Sequence, residues 1–134
     1  MLELKQIGKS FDGVPVLKDI SIRVEDGEIV SILGPSGCGK TTLLNIILGI
    51  LDADAGQILY NGEDLTRTPM EKRGFNIVFQ DYALFPNLNV RQNITYGLRN
   101  KPGISTEAEV QDMISLLGLG DHLNKRIDQL SGGQ

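Results

Sequence analysis

Gly34-Pro35-Ser36-Gly37-Cys38-Gly39-Lys40-Thr41-Thr42 decides the reading of this chain, because its glycines, lysine and threonine stand at the spacing G-x-x-x-x-G-K-[ST]. An apolar run, Ile29-Val30-Ser31-Ile32-Leu33, precedes it and predicts a buried strand. Leu43-Leu44-Asn45-Ile46-Ile47-Leu48 follows and predicts a helix. Strand, loop and helix in that order are the context of a P-loop, a cradle for a nucleotide triphosphate. Gly34, Gly37 and Gly39 let the backbone form a concave nest whose amides face the phosphates. The helix start adds the positive end of its dipole. Lys40 supplies a point charge for the β- and γ-phosphates, and the Thr41 hydroxyl suits Mg²⁺, a hard cation with a preference for oxygen.

The remainder of the chain bounds the problem. It has 134 residues, enough for one domain at most, and 40% of them are hydrophobic, enough for a core. A net charge of −4 is the wrong sign for a nucleic-acid footprint. No apolar run approaches the roughly 18 residues of a membrane span. The N-terminus alternates Leu2, Glu3, Leu4, Lys5, unlike a secretory leader. One cysteine excludes an internal disulfide and suits a reducing compartment.

Leu2, Leu4 and Ile7 begin a strand, and Ile20, Ile22 and Val24 alternate with polar residues as a half-buried antiparallel strand does. Asp26-Gly27 and Asn61-Gly62 are hairpin signals, with Gln57–Tyr60 as a strand between them and Glu28–Leu33 as a buried one. Phe75–Phe79 predicts a second buried strand, closing at Gln80. Thr106 and Glu109 form a capping box, then Val110, Met113, Ile114 and Leu117 mark one helical face, stopped by Gly118 and Gly120. The order predicts an α/β core with an antiparallel β layer and a helical appendage. The division expected is 1–80 for the core and 81–134 for the partial helical part.

A second motif, Leu130-Ser131-Gly132-Gly133-Gln134, closes the chain. Together with the P-loop, it makes the chain resemble the ATP-binding subunits of ABC transporters, whose signature is LSGGQ. The stretch Val78 to Leu88 is similar to bacterial importers for ferric iron, polyamines, sulfate and related solutes.

The resemblance implies a P-loop ABC-type nucleotide-binding fold in truncated form, with a parallel-sheet core. It implies ATP and Mg²⁺ as ligands, held by Gly34, Pro35, Ser36, Gly37, Cys38, Gly39, Lys40, Thr41 and Thr42. Phe11 would stack on adenine, or else be an ordinary core Phe, and Val16 would flank the same base. Gln80 would join Thr41 at the metal and meet the attacking water; without the resemblance it is a plain strand end. Ser131 and Gly133 would reach the γ-phosphate on a second copy, in a head-to-tail dimer. Lys40, Gln80 and Ser131 are thus the expected catalytic set. Transmembrane permease subunits would dock near residues 81–90, placing the protein at the inner face of the membrane.

The family's Asp-Glu strand and switch histidine do not occur in these residues, and His122 reads as a solvated helix or loop residue. The expectation is therefore that these 134 residues alone hydrolyse no ATP. A shortened gene product or proteolytic piece, with two unpaired strand edges, would account for that. Two alternatives are a non-catalytic nucleotide-binding module and a soluble ABC-family ATPase unconnected with transport. Cys38 is either a small residue that fits the nest or a thiol whose alkylation blocks nucleotide.

Overall fold

The computed structural model describes residues 1–79 and 82–134. They form two compact units, Met1–Ile77 and Val78–Gln134.

The first unit begins with two long strands, β1 (Leu2–Phe11) and β2 (Val14–Val24), paired antiparallel. Asp12 and Gly13 turn between them with φ of 49° and 78°, a two-residue turn of the primed kind that matches strand twist. The pairing slips three times. Between Leu4↔Ile22 and Ile7↔Ile20 an extra residue sits on β1, where Gln6 has a φ of 52°. Between Ile7↔Ile20 and Lys9↔Leu17 the extra residue is on β2, where Asp19 has a φ of 50°. The last slip lies between Lys9↔Leu17 and Ser10↔Pro15, again with the extra residue on β2. β3 (Ala55–Tyr60) pairs on the other side of β1, and the Asn61-Gly62 turn leads into β4 (Glu63–Asp64). The sheet order is β2-β1-β3-β4.

α1 (Lys40–Leu48) supplies the other layer. Leu4, Ile7 and Leu17 from the first two strands, Ile58 from β3 and Leu65 join Leu43 and Ile46 of α1 in one buried cluster. Each such side chain contributes roughly 1.5–3 kcal/mol by leaving water. The helix is therefore anchored through its apolar face, leaving its N-terminus to the preceding loop.

The C-terminal end of α1 is tied down by Arg73, which is 5% exposed. Its guanidinium donates to the carbonyls of Ile46 and Ile47 at 2.8 and 2.9 Å and to Thr68 O at 2.6 Å. A cation on the last carbonyls also meets the negative end of the helix dipole. Burial pushes its pKa down from the usual guanidinium value, opposed by the charge of Asp52. Gly49 follows the helix with φ 81°, and a Cβ there would sit 2.6 Å from Arg73 Nε.

Two expectations need correcting. Neither Ile29–Leu33 nor Phe75–Phe79 is a strand, and among the described residues the sheet has no parallel pair. Ile29 is 94% exposed, Leu33 89% and Val78 89%. The reason is that apolar composition alone does not make a strand. A strand exists by pairing, and no described segment pairs with either run. Asp26-Gly27 accordingly turns the chain, with Gly27 at φ 79°, without closing a hairpin.

In the second unit, α2 (Val90–Ile94) starts at a capping box of Asn89 and Gln92. α3 (Tyr96–Asn100) follows, then α4 (Glu107–Leu116), whose Thr106–Glu109 capping box is the one expected. Gly118 leaves α4 at φ 65°. Val90, Ile114 and Leu123 are buried together, flanked by Val110, Leu119, Ile127 and Leu130. Half of the predicted α4 face faces outward, since Met113 and Leu117 are exposed.

Candidate functional site

The P-loop turns through Ser36 and Gly37 and enters α1 at Gly39, a left-handed N-cap at φ 93°. Its glycines answer to different constraints. Gly37 adopts φ 80° with nothing among the described residues within 4 Å of an added Cβ, so its backbone conformation is what favours glycine there. At Gly39 the positive φ is joined by crowding, because an added Cβ would stand 2.9 Å from Leu17 Cδ2 and 3.1 Å from Val16 Cγ1. That approach seats the loop's exit against β2. At Gly34 an added Cβ would meet Cys38 Sγ at 2.6 Å.

The first intrahelical bond at this end runs from Leu43 N–H to Gly39 O at 2.9 Å. The amides of Lys40, Thr41 and Thr42 precede it and point out of the helix end, as at any helix start. No acidic residue occupies the first turn of α1. The Lys40 ammonium donates to the carbonyls of Gly34 and Pro35 at 2.7 and 2.6 Å and lies 3.5 Å from Cys38 Sγ. A cation, three outward amides and a first turn without a carboxylate offer the donors that an anion would need. ATP and Mg²⁺ fit this set: amides and Lys40 for phosphate oxygens, the exposed Thr41 hydroxyl for the metal.

Val16 is thus brought to the loop, through its contact distance to Gly39. Phe11 ends β1 at the same hairpin, 44% exposed, with Lys9 Nζ 5.6 Å from its ring centroid. It is not a core phenylalanine. Gln80, expected at the metal, lies outside the described residues, as does Asp81 at the start of the expected permease contact.

Ser131 and Gly133 belong to the second unit. Leu130 is half-buried on the unit's apolar cluster, and residues 131–134 turn outward, exposed. Gln134 N–H donates to Ser131 O at 3.0 Å, and Ser131 N–H donates to Gln134 Oε1 at 3.0 Å. The S-x-x-Q spacing therefore closes on itself, with the side-chain half of a capping box. A cleft of about 250 Å³ beside the turn is lined by Tyr82, Leu84, Ile127 and Leu130. An added Cβ on Gly132 would stand 3.5 Å from the Tyr82 hydroxyl, and one on Gly133 would meet nothing within 4 Å among the described residues.

Two residues escaped the sequence reading. His122 is half-buried rather than solvated, and its Nε2 lies 2.9 Å from Gln134 Nε2. A lone histidine before a glycine-rich turn carries no pattern, so only the packing reveals this contact. Arg73 could have been suspected, as a basic residue shortly before an apolar run, but nothing local says which carbonyls it meets. Among the described residues no cluster of three His, Cys, Asp or Glu side chains could hold a metal, and no helix is long and apolar enough to cross a membrane.

Comparison with known proteins bears on both motifs. The ABC transporter family profile matches residues 17–134. The spermidine/putrescine import ATP-binding protein PotA of Spiroplasma citri is 50% identical over 137 aligned residues, spanning 100% of this chain and 39% of that protein. Its counterpart in Fusobacterium nucleatum is 46% identical, over 99% of this chain and 36% of that one. The chain thus spans about two fifths of the length of these curated relatives. A dimeric ATP-binding cassette in a post-hydrolysis state, bound to ADP and Pi, superposes with a TM-score of 0.80 at 29% identity, over 100% of this chain and 65% of that one. A nucleotide-free cassette from an ABC transporter gives 0.81 at 28% identity, over 100% and 60%. With its P-loop on α1 and its LSGGQ turn in the second unit, this chain belongs to the ABC transporter family.

Proposed function

We propose that this chain is the nucleotide-gripping part of an ATP-binding subunit that drives solute import across the cytoplasmic membrane. The observation that carries the proposal is the left-handed Gly39 cap leading into Lys40 and an acid-free first turn. In this reading the amides of residues 37–42 and the Lys40 ammonium hold the phosphates. Thr41 and Gln80 would offer oxygens to Mg²⁺, which when bound would neutralise phosphate charge. Phe11 and Val16 bracket the adenine. Pro35, Ser36 and Cys38 shape the arch that Lys40 spans.

Ser131 and Gly133 act in trans, on ATP held by a second copy arranged head-to-tail. Support comes from the dimeric state named for the cassette bound to ADP and Pi. Hydrolysis then alternates with opening of that pair, and permease subunits meeting residues 81–90 convert the motion to transport. The subunit thus works peripherally, on the cytoplasmic face. A polyamine is the favoured cargo, because the relatives at 43–50% identity carry spermidine/putrescine import in their names.

Isothermal titration with ATP–Mg²⁺ tests the phosphate site. Lys40→Ala removes a charge-assisted contact of about 1.5–3 kcal/mol, so affinity is expected to fall roughly tenfold to a hundredfold. Equal affinity in the variant would remove Lys40 from the site and the proposal with it.

A further inference from the structure

We infer that His122 is a positioning residue for the LSGGQ turn, acting as a neutral imidazole whose Nε2 lone pair accepts a hydrogen bond from the Gln134 side-chain amide.

The protonation follows from the bonding around Gln134. Its Oε1 accepts the Ser131 backbone N–H at 3.0 Å, so this end of the amide must be the oxygen. The other end is then an NH₂ group, which only donates. It lies 2.9 Å from His122 Nε2. That ring nitrogen must therefore present a lone pair, and the single proton of the neutral ring goes to Nδ1. An imidazolium, or the other neutral tautomer, would set N–H against N–H₂ and open the contact.

The geometry gives His122 a fixed base. Its N–H donates to Leu119 O, and its carbonyl accepts from Lys125 N–H, each at 2.9 Å. Leu119 and Leu123 on either side pack in the apolar cluster that also takes Ile127 and Leu130. His122 and the turn at 131–134 are thus mounted on one core, and the Gln134 amide spans them. Gln134 is committed within its own turn, holding Ser131, rather than offered to a ligand. Among the described residues the buried Nδ1 has no hydrogen-bond partner, so its proton is an unsatisfied donor there. The bridge is correspondingly cheap to break, which suits a turn that must adjust on meeting a phosphate. Only this last step rests on the function proposed above.

Long-range ¹H–¹⁵N NMR of the chain tests the assignment directly, because the chain has a single histidine. The expected result is a pyridine-type Nε2 and a pyrrole-type Nδ1. The reverse tautomer, or the averaged pattern of a free imidazole, overturns the inference. Amide exchange supplies the second arm. His122→Leu is expected to speed Ser131 exchange roughly three- to tenfold, the scale of one net hydrogen bond. Leu123 and Ile114 amides serve as the check that the unit remains folded. His122→Gln, whose side-chain oxygen can take the place of Nε2, is expected to restore the slow rate. Ser131 rates equal in all three proteins, or no rescue by Gln, overturn the role. These readouts need no nucleotide, so their failure is distinguishable from an unchanged ATP affinity in Lys40→Ala.

Discussion

The two glycine-rich motifs are built on opposite principles. The P-loop takes its shape from backbone: Gly37 and Gly39 sit at φ values of 80° and 93°, and Gly39 is pressed against β2. The LSGGQ turn takes its shape from side chains: Gln134 bonds Ser131 and meets His122, while Gly132 and Gly133 have neither positive φ nor crowding among the described residues. A glycine required by its own fold reports on architecture. A glycine that the described fold does not require leaves room, under the proposed function, for something approaching from outside.

That contrast can be broken by substitution, and the largest effect is expected at the P-loop. Gly39→Val forces a β-branched residue to positive φ and drives it into Leu17 and Val16. A loss of about 2–5 kcal/mol is expected from strain and overpacking together, read by chemical denaturation. A variant as stable as the parent would show that the loop tolerates other backbones.

Next comes the far end of the same helix. Arg73→Met keeps the bulk and removes the donors to Ile46, Ile47 and Thr68 carbonyls. Leaving those groups unpaired is expected to cost roughly 2–4 kcal/mol. ATP affinity should fall alongside stability if α1 must be held at both ends to present its N-terminus. A stability loss with affinity unchanged would separate the cap from the cradle.

A smaller effect belongs to the second unit and to pH. Hydrogen bonds from the Thr106 N–H and hydroxyl hold the Glu109 carboxyl below its ordinary range. Its folded pKa lies below the unfolded one, so its contribution is complete above the unfolded value and lost as pH falls through the folded value. The α4 circular-dichroism signal should therefore weaken on acidification, and Glu109→Gln should flatten that slope. An identical pH profile in the variant would exclude the cap as its source.

The smallest effect sharpens the comparison most. Gly133→Ala should leave stability within about 0.5 kcal/mol of the parent, since among the described residues no atom lies within 4 Å of the new methyl. Under the proposed function it should still weaken ATP-dependent pairing of two copies, measured by sedimentation. Intact pairing would mean that nothing approaches Gly133 closely.

Much of this molecule was legible in its residues, and unevenly so. The P-loop, the Asn61-Gly62 hairpin and the Thr106–Glu109 cap are each read from a few consecutive side chains whose local chemistry is sufficient. Asp12-Gly13 carried an equally local hairpin signal and passed unread. Ile29–Leu33 and Phe75–Phe79 misled for a different reason. Their apolar composition is real, but pairing is a property of two segments, and the described chain supplies no partner for either.

What the residues determined alone is therefore the chemistry of short range: where the backbone must bend left-handed, where a helix starts, which side chains cap it. Tertiary structure decided which distant groups meet. It sent Arg73 to the carbonyls of α1, set Val16 against Gly39 and placed His122 beside Gln134. Such contacts depend on how whole elements pack over an apolar core, and packing energy is shared among many side chains rather than written at any one of them.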